Sequence, residues 1–355
     1  MKCSKISRRD VLAGSGALAF GSAFSTRVMS AAPPASAVTP ELIAAAKKEG
    51  QVVWYTSIDL KLSERIGKAF EAKYAGIVCK VERSGAERLL QRISQEYAAN
   101  VHAVDVVNSS DASLLVYWKD QDMLAPYVPE DVAKFYPAEH KDVDGTFASF
   151  RVFLCVIAYN TNMVKKEEAP KGFADLLDPK WKGQIVKAHP GYSGTIMTAT
   201  YQVSRDIGWS YYEKLAQQNI MQVQSAADPP KKIALGERAI MADGVEYLIF
   251  AEKESGQPVE PVYATEGTPL IIGPNGLFKA APNPNAARLF QSFSFSPECQ
   301  QLCIDVGGLR SVHPQTKEHE GRAPLSKIKL MKDDAAAVLK QGEQIKAHYV
   351  KIFHV

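Results

Sequence analysis

Cysteine is scarce in this sequence: five residues in 355, one of which, Cys3, precedes an N-terminal apolar stretch. The other four, Cys79, Cys155, Cys299 and Cys303, allow three pairings. Cys299 and Cys303 stand four apart in what reads as a helix, where regular geometry does not favour a disulfide, so buried free thiols are expected. Neither has a His or Cys neighbour at zinc-finger spacing, which leaves little case for a metal site there. The chain also lacks a Gly-x-Gly-x-x-Gly turn. Its first strand runs into Tyr55-Thr56-Ser57-Ile58-Asp59, so the pyrophosphate loop of a dinucleotide-dependent oxidoreductase is excluded. A hydrolase's nucleophile elbow is missing too: it needs Gly-x-Ser-x-Gly, and Gly191-Tyr192-Ser193-Gly194-Thr195 places Thr at the second Gly. No Asp and His follow in a triad context, and His189, His313 and His319 are isolated. An exported α/β hydrolase is therefore only the more distant alternative, and no enzyme is expected. Lys and Arg form no run, and a formal charge of +3 is small for this length, so nucleic acid is not an expected partner. No internal repeat or low-complexity segment stands out.

What is present begins at the N-terminus. Lys2 and Lys5 lead through Ser7-Arg8-Arg9-Asp10-Val11-Leu12 into a small, apolar stretch from Ala13 to Phe24. The paired arginines resemble a twin-arginine export signal, with Val11 where Phe is usual. The apolar stretch is shorter than the roughly 20 residues a membrane span needs. Small residues at Ser30-Ala31 and Ala35-Ser36-Ala37 offer cleavage sites, so residues 1–37 are expected to be removed and the protein to be periplasmic. Cys3 lies before the apolar core, not after it, which argues against a lipoprotein.

The rest is ordinary globular material, 46% hydrophobic and 23% charged, long enough for two domains. A helix from Pro40 ends at Gly50, and the apolar run Val52-Val53-Trp54-Tyr55 follows as a strand. Leu62, Ile66, Ala69 and Phe70 then return at helical spacing. The unit repeats: strand 77–82, loop Arg83-Ser84-Gly85, helix 86–98; strand 104–107, loop Asn108-Ser109-Ser110, helix 112–119. Alternating β and α elements predict a mainly parallel sheet with binding loops at the carboxyl ends of its strands. The long apolar segment from Val152 to Tyr159 reads as a crossing into a second α/β unit, and strands near 259–263 and 270–273 read as the return. Two crossings predict a hinge. The expected lobes are 38–150 plus about 266–315, and 151–265, with 316–355 a helical segment packing on both.

Leu42-Ile43-Ala44-Ala45-Ala46-Lys47-Lys48-Glu49-Gly50 before Val52-Val53-Trp54-Tyr55-Thr56-Ser57, then Asp175-Leu176-Leu177-Asp178-Pro179-Lys180-Trp181-Lys182-Gly183, Glu266-Gly267-Thr268-Pro269, Ala286-Ala287-Arg288-Leu289-Phe290 and Ser296-Pro297-Glu298 resemble the family 1 extracellular solute-binding proteins. The branch they are most similar to is the ferric-iron-binding-like one, and the likeness spans nearly all of the chain after the signal. The resemblance implies a two-lobed type II periplasmic binding fold, with two doubly wound α/β domains on a two-crossing hinge. It also implies a monomeric substrate-binding component of an ABC importer, without a cofactor, that delivers a solute to an inner-membrane permease. Iron binders of the branch hold the metal with two adjacent tyrosines, helped by a histidine and an acid from the first lobe. Those tyrosines fall on Glu246 and Tyr247, and the histidine position holds Ile58-Asp59. Asp59, Glu246 and Tyr247 would be the ligands if ferric iron, the alternative cargo, is bound. Members without the tyrosine pair bind phosphorylated, phosphonate or other organic anions, and that is the expectation here.

The residues supply groups suited to an anion. Tyr192, Ser193, Gly194 and Thr195 lead into a helix whose N–H groups and dipole favour negative charge, although Ser193 also serves as an ordinary N-cap. Arg83 follows a strand and suits a bidentate pair with phosphate or carboxylate, with Ser84 beside it. Thr56, Ser57, Ser109 and Ser110 occupy the equivalent strand-end loops. Glu246 offers an acceptor for a hydroxyl or amine, so a solute with an anionic end and a donor-bearing end is expected.

Overall fold

The computed structural model describes residues 31–355. Most of the expected export signal thus lies outside the described residues. Its last part is seated: the Ser36 N–H donates to the Val128 carbonyl at 2.8 Å. Eleven strands form one mixed sheet among the described residues. They are β1 (Gln51–Thr56), β2 (Val78–Arg83), β3 (Val106–Asn108), β4 (Leu124–Ala125), β5 (Phe147–Asn160), β6 (Ile185–Ala188), β7 (Met221–Val223), β8 (Ile240–Val245), β9 (Val259–Val262), β10 (Thr268–Phe278) and β11 (Leu330–Met331). The order β2-β1-β3-β10-β5-β8-β6-β7 places two parallel groups, β1–β3 and β6–β8, on either side of an antiparallel central pair.

That central pair makes the molecule two-lobed. β5 joins β10 through its first half and β8 and β9 through its second, so both long strands run from one lobe into the other and form the hinge. Thirteen of the fourteen β5 residues are buried, the mark of a strand covered on both faces, which explains the apolar run from Val152 to Tyr159. β10 bulges between Gly273 and Pro274, where Gly273 pairs with Arg151. The short β4, β7 and β11 leave no period-2 pattern long enough to read in sequence.

Each parallel strand is followed by a helix with a reason to start and stop. The helix Pro40–Glu49 is capped by the Thr39 hydroxyl, which accepts from the Leu42 N–H at 3.2 Å. It ends at Gly50, whose φ of +76° only glycine adopts without cost, turning the chain into β1. The helix Leu60–Lys73 aligns Leu62, Ile66 and Phe70 on one buried face, and Phe70 meets Phe290 at 5.1 Å. Burying each such side chain contributes about 1.5–3 kcal/mol. The helix Ala335–Phe353 is capped by Asp334 and lies across both lobes, against the helix Ala112–Asp120 on one side and the helices Gly194–Asp206 and Trp209–Ala216 on the other. Cys79, Cys155, Cys299 and Cys303 are all buried and unpaired.

Candidate functional site

The carboxyl ends of β1, β2, β6 and β8 and the helices that follow them open on one cleft of about 490 Å³ between the lobes. From the first lobe it takes Ser57, Arg83, Arg88 and Ser110; from the second, Tyr192, Ser193, Gly194, Thr195 and Tyr247. Gly85 and Ala86 also line it, at the start of the helix Ala86–Ala98, which has no side-chain cap. Val245 and Leu248 line it at the start of the helix Glu246–Glu254, likewise uncapped. Orphan N–H groups of two helix ends therefore face the cleft, beside the Ser193-capped helix Gly194–Asp206.

The cation that sits deepest was not foreseen. Arg151, in the middle of β5, is 2% exposed, and its guanidinium donates to the Ser57 hydroxyl at 2.9 Å. It lies 5.1 Å from the Phe153 ring centroid and beside the Tyr247 hydroxyl. Burial draws its pKa below the ordinary arginine value, and burial likewise pushes the Tyr247 phenol up. Its Nε has no hydrogen-bond partner. Arg83 donates from Nε to the Ile58 carbonyl at 3.3 Å. Among the described residues, none of Arg83, Arg88 and Arg151 is ion-paired with a carboxylate. The only signal in the sequence was a charge in an otherwise apolar strand.

Other expected site residues are spent on structure. Thr56 and Ser109 are fully buried: the Thr56 hydroxyl accepts from the Ile58 N–H at 3.1 Å, and the Ser109 hydroxyl accepts from the Asp111 N–H at 3.0 Å. Ser84 bonds through its backbone to the Thr56 carbonyl and does not line the cleft. Asp59 caps the helix Leu60–Lys73 and faces an adjoining cavity. Glu246 requires correction as a ligand acceptor. It is 1% exposed, Arg310 grips both of its carboxylate oxygens at 2.8 Å, and the Tyr263 hydroxyl donates to it at 2.5 Å. With its charge already neutralised by Arg310, it is buried away from the cleft lining.

The loop before the helix Gly194–Asp206 is shaped from within. His189 Nδ1 accepts from the Gly191 N–H at 2.9 Å, and burial together with Lys187 lowers the histidine's pKa, which keeps that nitrogen free to accept. Beneath it, Lys187 and Asp243 form a buried ion pair at 2.5 Å. Gly194 lets the lobes touch: a Cβ there would stand 2.5 Å from the Asp111 Cβ. Among the described residues, no three His, Cys, Asp or Glu side chains are grouped to hold a metal ion. Chemically the cleft offers cationic and N–H donors to an acceptor-rich solute.

Comparison with known proteins bears on the family and the fold. A family model described as "Bacterial extracellular solute-binding protein" matches residues 102–329. A protein of Haemophilus influenzae, described only as uncharacterized, is 27% identical over 307 residues, which is 81% of this chain and 86% of its own. The solved structure of the periplasmic binding protein AfuA from Actinobacillus pleuropneumoniae, with fructose-6-phosphate bound, superposes with a TM-score of 0.78 at 26% identity over 86% of this chain and 99% of that one. Iron-bound HitA from Pseudomonas aeruginosa shares the fold, with a TM-score of 0.75 at 21% identity over 85% of this chain and 99% of that one.

Proposed function

The chain belongs to the bacterial extracellular solute-binding proteins, the periplasmic capture components of ABC importers, and from that premise we propose that its cargo is a small organic anion. The observation that carries the reading is the set of unpaired arginines, Arg83, Arg88 and Arg151, converging with two uncapped helix ends on one cleft. Of the three only Arg151 is buried, and a buried cation without a carboxylate is costly unless a ligand supplies the counter-charge, while Arg83 and Arg88 are exposed. Phosphorylated, phosphonate and carboxylate compounds meet that requirement, and the fructose-6-phosphate bound to AfuA is of the first kind. Ser57, Ser110, Ser193, Thr195 and Tyr192 would complete the hydrogen bonding, with Tyr247 against Arg151.

In this reading the protein is a monomer exported by a twin-arginine-type signal within residues 1–37. Its lobes are 38–150 plus about 266–315, and 151–265, with 316–355 packed on both. An anion bound to one lobe attracts the helix ends and arginine of the other, the hinge strands bend, and the closed form is presented to the inner-membrane permease. Closure follows because the solute gains contacts only in that state. Ferric iron, the alternative to which iron-bound HitA gives weight, is supported here by Tyr247 and Asp59 but opposed by the Arg310 grip on Glu246. Native mass spectrometry with metal analysis on protein purified without chelator separates the two. A small organic mass without metal is expected; a stoichiometric ferric ion would overturn the anion reading.

A further inference from the structure

Gly273 stands in the interior of the hinge strand β10, where a glycine weakens the strand and needs a reason. Its φ lies outside the left-handed region, so the backbone would accept any residue there. The reason is space. A Cβ on Gly273 would stand 2.7 Å from Cγ and 2.6 Å from Nε of Arg151, its cross-strand partner on β5, and the three nearest atoms all belong to that side chain. The sheet order explains why the arginine runs there. β10 lies between β5 and β3, and Ser57, which the Arg151 guanidinium reaches at 2.9 Å, is seated on the end of β3 by its N–H to the Asn108 carbonyl at 3.1 Å. With strands about 5 Å apart, an arginine on β5 meets Ser57 only by lying flat across β10. It crosses at Gly273. Asn108 fixes the same spot from the other side, its amide donating to the Gly273 and Pro274 carbonyls at 3.2 and 3.0 Å, one on each side of the bulge.

We propose that Gly273 is a positioning residue for solute capture: the trough left by its missing side chain carries the Arg151 stem across the hinge and holds the guanidinium on the cleft wall beside Ser57. The part of Arg151 in capture rests on the anion reading. Cγ is the second carbon of the side chain, so a methyl group at 273 displaces everything beyond it, and β10 cannot yield because β3 and β5 hold it on both edges. An arginine pushed off Gly273 loses Ser57 and leaves the cleft without its buried cation.

Gly273→Ala and Arg151→Ala, alone and combined, test it by thermal unfolding without ligand and by calorimetry with inorganic phosphate and fructose 6-phosphate. Gly273→Ala should melt lower than wild type and bind about tenfold more weakly, as expected for one lost hydrogen bond to a charged group. In the Arg151→Ala background the obstruction is gone and alanine suits a strand interior better than glycine, so the same substitution should raise the melting temperature and leave the already weakened affinity unchanged. Should Gly273→Ala fail to fold, the double variant should fold. An equal loss of stability in both backgrounds, or a double variant that fails as the single one does, would overturn the proposal, since the glycine would then serve the backbone. Undiminished affinity in Gly273→Ala would overturn it too. Wild-type protein that binds neither probe, or Arg151→Ala that binds as tightly as wild type, would instead count against the anion reading; the thermal comparison contains no ligand and still decides whether Gly273 places Arg151.

Discussion

Arg151 shows what a single side chain decides in this protein. It is a buried cation on a hinge strand, with a serine hydroxyl, an aromatic ring and a phenol for company and no carboxylate. Such a group lowers stability in the empty protein and repays it on binding. Replacing it by Met keeps volume and removes the charge. Arg151→Met should therefore melt no lower than wild type in the absence of ligand, yet bind the cargo at least about tenfold more weakly, as seen by thermal unfolding with and without solute. Glu246 is the opposite case. Counting along the chain marked it as a site residue, but its partner Arg310 is 64 residues away, and position in a motif carries no record of such a partner. Thr56 and Ser109 were similarly ambiguous, since a hydroxyl after a strand serves a cap and a ligand equally well.

At the scale of elements, the site is made by helices that start where strands end. Two starts have no side-chain cap, so their N–H groups are left to the cleft, while Ser193 holds the third in place. The strand-loop-helix order that produces this was readable from apolar periodicity alone. The closeness of the loops was not: Gly194 belongs to a turn on any sequence reading, yet it is also where the second lobe meets Asp111 of the first. A Cβ at Gly194 would sit against the Asp111 Cβ at 2.5 Å, and neither backbone-attached atom has freedom to move away. Gly194→Ala should hold the lobes apart and weaken solute binding several-fold while each lobe still folds. Calorimetry together with circular dichroism would check this, and undiminished affinity would contradict it.

For the molecule as a whole, the contact between lobes carries acid. Asp111 caps a first-lobe helix against Gly194; Asp333, ahead of the C-terminal helix, accepts from the Gln202 amide at 3.5 Å. Burial pushes Asp111 up to about 6, and burial reinforced by the Asp111 charge pushes Asp333 up to about 7, against 3.8 for a free carboxyl. Glu87 and Asp334 add to these shifts and Lys346 opposes them. Below pH 4 both states hold these protons. Above it the unfolded chain releases them while the folded protein retains them to pH 6–7, so stability contributed by this pair falls across that window and then levels off. Urea midpoints should accordingly drop between pH 5 and pH 8 more in the wild type than in an Asp111→Asn, Asp333→Asn variant, where an equal drop would count against the coupling.

The alternation of the longer strands and helices, the two crossings of a hinge and membership of a solute-binding family were written in local patterns: apolar period, strand-end loops and short motifs in sequence order. Those features depend on neighbours along the chain, so the chain alone determined them. Which groups meet the solute depends on partners far apart in sequence, Arg151 on Ser57 across 94 residues and Arg310 on Glu246 across 64. Tertiary structure alone decided that Arg151 turns into the cleft and that Glu246 is closed off. Whether a buried charge is free for a ligand is settled by the counter-charge that packing brings within reach.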